Sequence, residues 1–231
     1  MNVQWHCLAE CSDVPPEVDP ADVFAFDGER DEPAPAGVAG VVLRRAGEVR
    51  AEALLAAGAA TVFIGEAALR DSAMVERLAA KFGAGRIGLY VPARRMEIGW
   101  SFDTTSNADF RVVTPSQCEP CWEILRADGS RCGVRMHWWL GEMMKRGAAA
   151  ALVQVDIRDD TDLNLCAGLV EDFGERIWLG PLDDRDPAFG DWTTYGRIER
   201  IALAPTLFVR RDSLLPAAAP ECEVAASGEP A

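Results

Sequence analysis

The chain has 231 residues, of which 49% are hydrophobic, and its formal net charge is −14 at pH 7. This length suffices for one α/β domain whose core needs no disulfide or metal, and the negative charge disfavours nucleic acids and anionic membranes, which require clustered positive charge. No apolar run approaches the roughly 18 residues of a membrane span, so no transmembrane helix is expected. No export signal precedes the seven cysteines, and we therefore expect a cytoplasmic protein with reduced thiols.

Short apolar runs separated by loops or by helical periodicity predict eight strands. The first two strands are Val3–His6 and Val23–Phe26, and the connection that follows each of them has no room for a full helix. Residues 12–36 are rich in proline and acids. The other six strands are predicted at Val38–Leu43, Thr61–Ile64, Arg86–Tyr90, Ala150–Asp156, Arg176–Leu179 and Arg200–Ala204.

Helices that bury one apolar stripe are predicted between the later strands. Asp71 or Ser72 is the expected N-cap of the first helix, and Thr161 or Asp160 that of the last. The helices are expected at Ser72–Phe82, Met136–Arg146 and Asp162–Phe173.

Eight strands alternating with helices predict a TIM-type (β/α)8 barrel with a degenerate N-terminal side. Residues 1–211 form the expected single domain, and residues 103–135 an insertion between strands five and six, with a hairpin turning at Ala127–Ser130. Residues 212–231 are rich in Pro, Ala and Glu and predict a disordered tail.

The run 151–161 (ALVQVDIRDDT) carries the main functional signal. A continuous apolar stretch is typical of a strand buried on both faces, and parallel α/β folds place their chemistry at the C-terminal ends of such strands. The candidate site residues at the end of this strand are Asp156, Arg158, Asp159 and Asp160. The alternative is structural, because acids at the start of a helix cap it and favour its dipole. Asp156 has little capping value at the strand tip.

Five segments between about Glu48 and Phe208 share one resemblance. They are similar to the HisA/HisF family of histidine-biosynthesis barrels, particularly the phosphoribosylformimino-aminoimidazole-carboxamide ribotide isomerase. The segments are Ala53–Leu69 (ALLAAGAATVFIGEAAL), Phe82-Gly83, Ile87–Leu89, Gly99-Trp100 and Val155–Thr161 (VDIRDDT).

The resemblance implies roles for residues at the C-terminal face of the barrel. Asp159, with Asp156 beside it, falls on the family's acidic position after the sixth strand. These two are therefore the expected catalytic residues of an isomerase- or lyase-like acid/base enzyme. No cofactor or metal is expected, and the expected partner is a small-molecule ligand. The expected substrate-binding residues are Gly65, Trp100, Arg158 and Asp183.

Other family features are missing. The family's isomerases carry an aspartate on the first strand and an acid at the end of the fifth. Here the first strand offers His6, Cys7 and Glu10, and the fifth reads Leu89-Tyr-Val-Pro-Ala. Histidine-pathway isomerisation is therefore not the expected activity.

The phosphate-binding loops also differ from the family pattern. Backbone N–H groups approach a phosphate closely only where no Cβ intervenes, so these loops need glycine. Gly65 is kept beside an acidic Glu66, and Pro181 removes a donor after strand seven. Three further acids on that loop predict an acidic rim suited to a cationic ligand or a divalent metal; they are Asp183, Asp184 and Asp186.

The insertion contains four residues of metal-ligand type with the spacing C-x2-C-x10-C-x4-H, namely Cys118, Cys121, Cys132 and His137. This set fits a structural zinc site by residue type. Only one half shows a tight CxxC knuckle, so buried small side chains and a histidine at a helix N-terminus are the alternative.

Three functional hypotheses remain. The chain is a diverged HisA/HisF-like protein linked, by association with related proteins, to tetrahydromethanopterin-dependent one-carbon metabolism. Alternatively, it is a non-catalytic binding or scaffold paralogue, or a phosphosugar isomerase of histidine biosynthesis. Substrate and oligomeric state do not follow from the sequence.

Overall fold

The computed structural model describes twelve strands and seven α-helices within residues 3–28, 36–96, 105–107, 110–112 and 120–215. The strands are β1 (Gln4–Glu10), β2 (Val23–Phe26), β3 (Gly40–Leu43), β4 (Val62–Ile64), β5 (Ile87–Arg95), β6 (Thr105–Asn107), β7 (Phe110–Val112), β8 (Trp122–Leu125), β9 (Arg131–Arg135), β10 (Ala150–Gln154), β11 (Ile177–Gly180) and β12 (Arg200–Leu203). The helices are α1 (Glu48–Ala56), α2 (Glu66–Arg70), α3 (Ala73–Phe82), α4 (Met136–Lys145), α5 (Asp160–Phe173), α6 (Phe189–Thr194) and α7 (Pro205–Phe208).

Eight of these strands close into a parallel barrel in the order β1-β2-β3-β4-β5-β10-β11-β12, with β12 pairing back to β1. Helices follow β3, β4, β10, β11 and β12. After β1, the chain forms only two 3-10 turns, Cys11–Asp13 and Pro20–Asp22. The predicted TIM-type barrel with a degenerate N-terminal side is therefore confirmed.

The fifth barrel strand ends five residues later than the sequence predicted, at Arg95 instead of Tyr90, because its C-terminal half also pairs with a second sheet. Ala93 pairs with Ile124 of β8, and β8 pairs with β9, both in antiparallel orientation. The predicted turn between β8 and β9 is confirmed, and Gly129 occupies the left-handed conformation there (φ +81°). The β8–β9 hairpin of the insertion thus extends from the C-terminal end of the fifth barrel strand.

The three predicted helices are present, but one predicted cap is wrong. Asp159, and not Thr161 or Asp160, caps α5, because its carboxylate accepts the backbone N–H of Asp162 at 3.1 Å. Asp71 accepts the N–H of Ala73 at the start of α3, as expected. No helix in the described part of the chain is long and apolar enough to cross a bilayer.

Aromatic side chains fill the interior of the barrel. The Phe63 ring occupies the space that side chains on its neighbouring strands would need: a Cβ added to Gly40 or Gly88 would lie 2.6 or 2.5 Å from ring atoms. The His6 ring stacks on Phe24 with centroids 4.6 Å apart. The barrel interior is therefore a packed core rather than a channel. Its buried members are Leu8, Phe24, Phe26, Val42, Phe63, Tyr90, Leu152, Trp178 and Ala202.

A second, larger core lies between the barrel and its helices. The C-terminal helix α7 contributes the buried Leu207 and Phe208 to it. The tail predicted from residue 212 begins within a 3-10 turn, Arg211–Ser213. The tail residues from 216 onward lie outside the described residues.

Candidate functional site

A polar network lies at the centre of the C-terminal mouth. Arg44, which follows β3, places Nη1 2.6 Å from Oε1 of Glu10 at the end of β1, and its Cζ lies 3.5 Å from the centroid of the Phe26 ring. The Tyr90 hydroxyl donates a hydrogen bond to Oε1 of Gln154 at 2.6 Å. Burial raises the pKa of Tyr90, so its hydroxyl is neutral at pH 7. These inward-facing polar groups bond to one another.

Asp156 lies just beyond the end of β10, where one of its oxygens holds a loop. Oδ1 accepts the backbone N–H groups of Leu182, Asp183 and Asp184 at 3.1, 2.8 and 2.9 Å. The side chain is only 7% exposed, and Oδ2 lies 3.4 Å from Nη2 of Arg158. The carboxylate therefore fixes the loop after β11 in a nest of backbone donors.

Asp159 combines a capping role with an ion pair. Besides capping α5, its carboxylate accepts hydrogen bonds from the guanidinium of Arg95. These hydrogen bonds, together with the N–H of Asp162, lower the pKa of Asp159 to about 2. Asp159 is therefore a carboxylate throughout the neutral range and a weak base.

Arg95 also binds a buried acid and so joins the fifth barrel strand to α5. Its Nε donates to Oδ1 of Asp162 at 2.9 Å, and the side chain of Asp162 is 3% exposed. The other oxygen of Asp162 accepts the backbone N–H of Arg158 at 3.0 Å. A buried carboxylate with all these partners is a fixed structural element.

A cleft of about 460 Å³ lies at this edge of the barrel, between the ends of β5 and β10. Both predicted catalytic residues contribute to its wall. Four arginines face three aspartates across it, so the cleft is far less acidic than the chain as a whole. Its lining residues are Arg94, Arg95, Met96, Arg131, Asp156, Arg158, Asp159 and Asp162.

One acid of the rim predicted after strand seven is paired with an arginine of the fifth barrel strand. Asp183 pairs with Arg94, and Asp184 accepts the N–H of Asp186 within its own loop. Arg94 lies beyond the predicted end of the fifth strand at Tyr90, where the sequence reads VPARR. The two adjacent arginines at a strand end were the available signal.

The predicted substrate-binding residues do not all meet in this cleft. Arg158 lines it, and Asp183 approaches it through Arg94. Gly65 lies after β4, where a Cβ would come within 2.8 Å of the carbonyl oxygen of Arg44. Trp100 lies outside the described residues.

The residues of metal-ligand type in the insertion have other partners. Cys132 donates its thiol to the carbonyl of Ile124, and Nε2 of His137 lies 2.5 Å from Oδ2 of Asp172. Cys118 lies outside the described residues. Within the described ranges, no three His, Cys, Asp or Glu side chains converge in a way that could hold a metal ion.

No family model matches the chain, and no curated protein matches it. The barrel is in keeping with the HisA/HisF resemblance, but the fold alone does not specify a family or a function.

Proposed function

We propose that this chain is a diverged HisA/HisF-like barrel that binds a small-molecule ligand at its C-terminal face, without using Asp156 and Asp159 as an acid/base pair. The most direct support is that both carboxylates already accept hydrogen bonds from other parts of the protein. Asp156 holds three backbone N–H groups, and Asp159 caps α5 and pairs with Arg95. A general acid or base must exchange its proton near the working pH, which the low pKa of Asp159 opposes.

The cleft supports the binding half of the proposal. Its volume of about 460 Å³ lies within the range of small-molecule sites, roughly 300–1,000 Å³. It opens at the C-terminal end of the barrel strands, where TIM barrels bind their ligands. Met96 in its wall offers an apolar contact and a spectroscopic probe.

Methyl NMR of the full chain labelled at methionine tests ligand binding. Ribose 5-phosphate, citrate, ribose and spermidine represent phosphorylated, carboxylated, neutral and cationic ligands. We expect at least one of them to shift the Met96 methyl resonance saturably. The resonance of Met74, a buried residue of α3, is the internal control. A panel that leaves Met96 unmoved, or moves both methyl groups equally, contradicts the binding proposal.

Complementation tests the remaining hypothesis of histidine-pathway isomerisation. We expect the chain not to restore growth of a strain that lacks the isomerase, because the first-strand and fifth-strand acids of the family are missing. Restored growth that is lost in Asp159→Asn would contradict our proposal and favour acid/base catalysis. The link to tetrahydromethanopterin-dependent metabolism stays a prediction from the resemblance, and gene deletion followed by growth on a one-carbon substrate would test it.

A further inference from the structure

We propose that the cleft between the ends of β5 and β10 recognises an oxyanion, either a phosphate or a carboxylate group, through Arg94 and Arg158. This inference rests on the proposed binding function and specifies the chemical class of the ligand. The cleft is a local exception in a chain of net charge −14, because arginines outnumber aspartates in its wall. The four arginines differ in how firmly their present partners hold them.

Two of the four arginines are fixed. Arg95 is bound to the buried Asp162, and Arg131 donates to Glu123, whose side chain is 7% exposed. Arg131 also donates to the carbonyl oxygen of Arg95 at 3.1 Å. Separating either arginine from its buried acid would leave that acid uncompensated, which is strongly unfavourable. These two residues form the rigid wall of the cleft.

The other two arginines form ion pairs that a ligand can replace. The Arg158 side chain is 76% exposed, and its described side-chain contact is a single one of 3.4 Å to Asp156, while the backbone of Arg158 is anchored to Asp162. Arg94 is half-exposed and pairs with Asp183, which is 58% exposed. Exposed ion pairs contribute little to stability, so an incoming oxyanion can replace the aspartate at low cost.

The loop after β11 sets the spacing of these two guanidinium groups. Asp156 accepts the backbone N–H of Asp183 with one oxygen and contacts Arg158 with the other. The side chain of Asp183 holds Arg94. Asp156 therefore contacts Arg158 directly and is connected to Arg94 through Asp183, and both arginines contribute to the wall of one cleft. Planar guanidinium groups bind phosphate and carboxylate oxygens in a bidentate manner.

Titration of the full chain with inorganic phosphate and with citrate, followed at the Met96 methyl group at constant ionic strength, tests the proposal. We expect Arg94→Gln and Arg158→Gln each to weaken binding about 10-fold or more, as loss of a charge-assisted hydrogen bond implies. Arg146→Gln is the matched control. Arg146 lies at the C-terminal end of α4, contacts Glu76 at 3.7 Å and is not among the described residues that line the cleft. This control should leave binding unchanged.

A second pair of variants keeps the test informative if the arginine variants fold poorly. Asp183→Asn removes the carboxylate that competes for Arg94, so we expect it to tighten phosphate binding several-fold. Asp186→Asn removes the same charge from the same loop, away from Arg94, and should have a smaller effect. Equal effects of these two variants, or of Arg94→Gln and Arg146→Gln, would overturn the proposal.

The ligand panel separates this inference from the proposed function. Tight binding of phosphate alone identifies a phosphate site, and tight binding of citrate alone identifies a carboxylate site. Met96 shifts caused only by spermidine or ribose would overturn oxyanion recognition and leave the binding function intact. A Met96 resonance that no compound moves would overturn both.

Discussion

Replacing Asp156 with alanine is expected to destabilise the barrel by about 2–4 kcal/mol. The carboxylate accepts three backbone hydrogen bonds of 2.8 to 3.1 Å on one oxygen. A hydrogen bond to a charged group contributes about 1.5–3 kcal/mol net, but bonds that share one acceptor do not add fully. The freed N–H groups lie in a loop that water can reach, so the expected total is smaller than the sum of three separate hydrogen bonds.

Urea unfolding at pH 7 measures this loss of unfolding free energy as a lower denaturation midpoint, with the dependence of the free energy on urea concentration unchanged. Asp156→Asn keeps a carbonyl acceptor without the charge and should cost about half as much as alanine. Asp186→Ala is the control, because Asp186 is an exposed acid of the same loop, and such substitutions change stability by no more than about 0.5 kcal/mol. An Asp156→Ala variant as stable as this control would refute a structural role for Asp156 and reopen its catalytic assignment.

Three further predictions concern the core and the backbone. Gly88→Ala should destabilise the protein by about 1–3 kcal/mol, because the new Cβ would lie 2.5 Å from the Phe63 ring; Phe63→Leu should rescue part of this loss in a double-mutant cycle. Burial lowers the pKa of His6 below 6.5. As the pH falls, the unfolded chain therefore binds a proton at this residue before the folded chain does, and stability should fall below about pH 6.5. Urea unfolding at pH 5 and 7.5 should show a weaker pH dependence for His6→Gln than for the unsubstituted protein. Arg197 is exposed and has a φ of +56°, a left-handed conformation that glycine adopts without strain. Arg197→Gly should therefore raise the unfolding free energy by up to about 1 kcal/mol in the same assay. An unchanged midpoint would argue against backbone strain at this residue.

The alternation of apolar runs and helical stripes predicted the barrel because these periods reflect burial directly. Val23–Phe26 was predicted with the observed bounds, since a short run buried on both faces has sharp ends. The end of β5 was missed because its upper half pairs with the insertion, a contact distant in sequence. The cap of α5 was misplaced for a related reason: Asp162 is a buried helical residue, a fact that the local sequence DDTD does not reveal.

The pairing of charges at the site was equally out of reach of the sequence. The acids of the 156–162 run were visible, but their partner Arg95 is more than 60 positions away in the chain. The barrel pairs Asp159 and Asp162 with Arg95, and Asp183 with Arg94. Charge counts along one segment could not predict these ion pairs, because the arginines come from a different strand.

The distribution of these partners favours our proposal of ligand exchange over proton transfer at the C-terminal face. Proton transfer needs a carboxyl group whose charged and neutral forms are both accessible near neutral pH, and the hydrogen bonds from Arg95 remove Asp159 from that range. Ligand exchange instead needs charged donors whose present partners can be displaced. Arg94 and Arg158 meet this requirement because their ion pairs are exposed. The Arg95–Asp162 pair fixes the backbone beneath both side chains, because Arg94 adjoins Arg95 and the backbone N–H of Arg158 donates to Asp162.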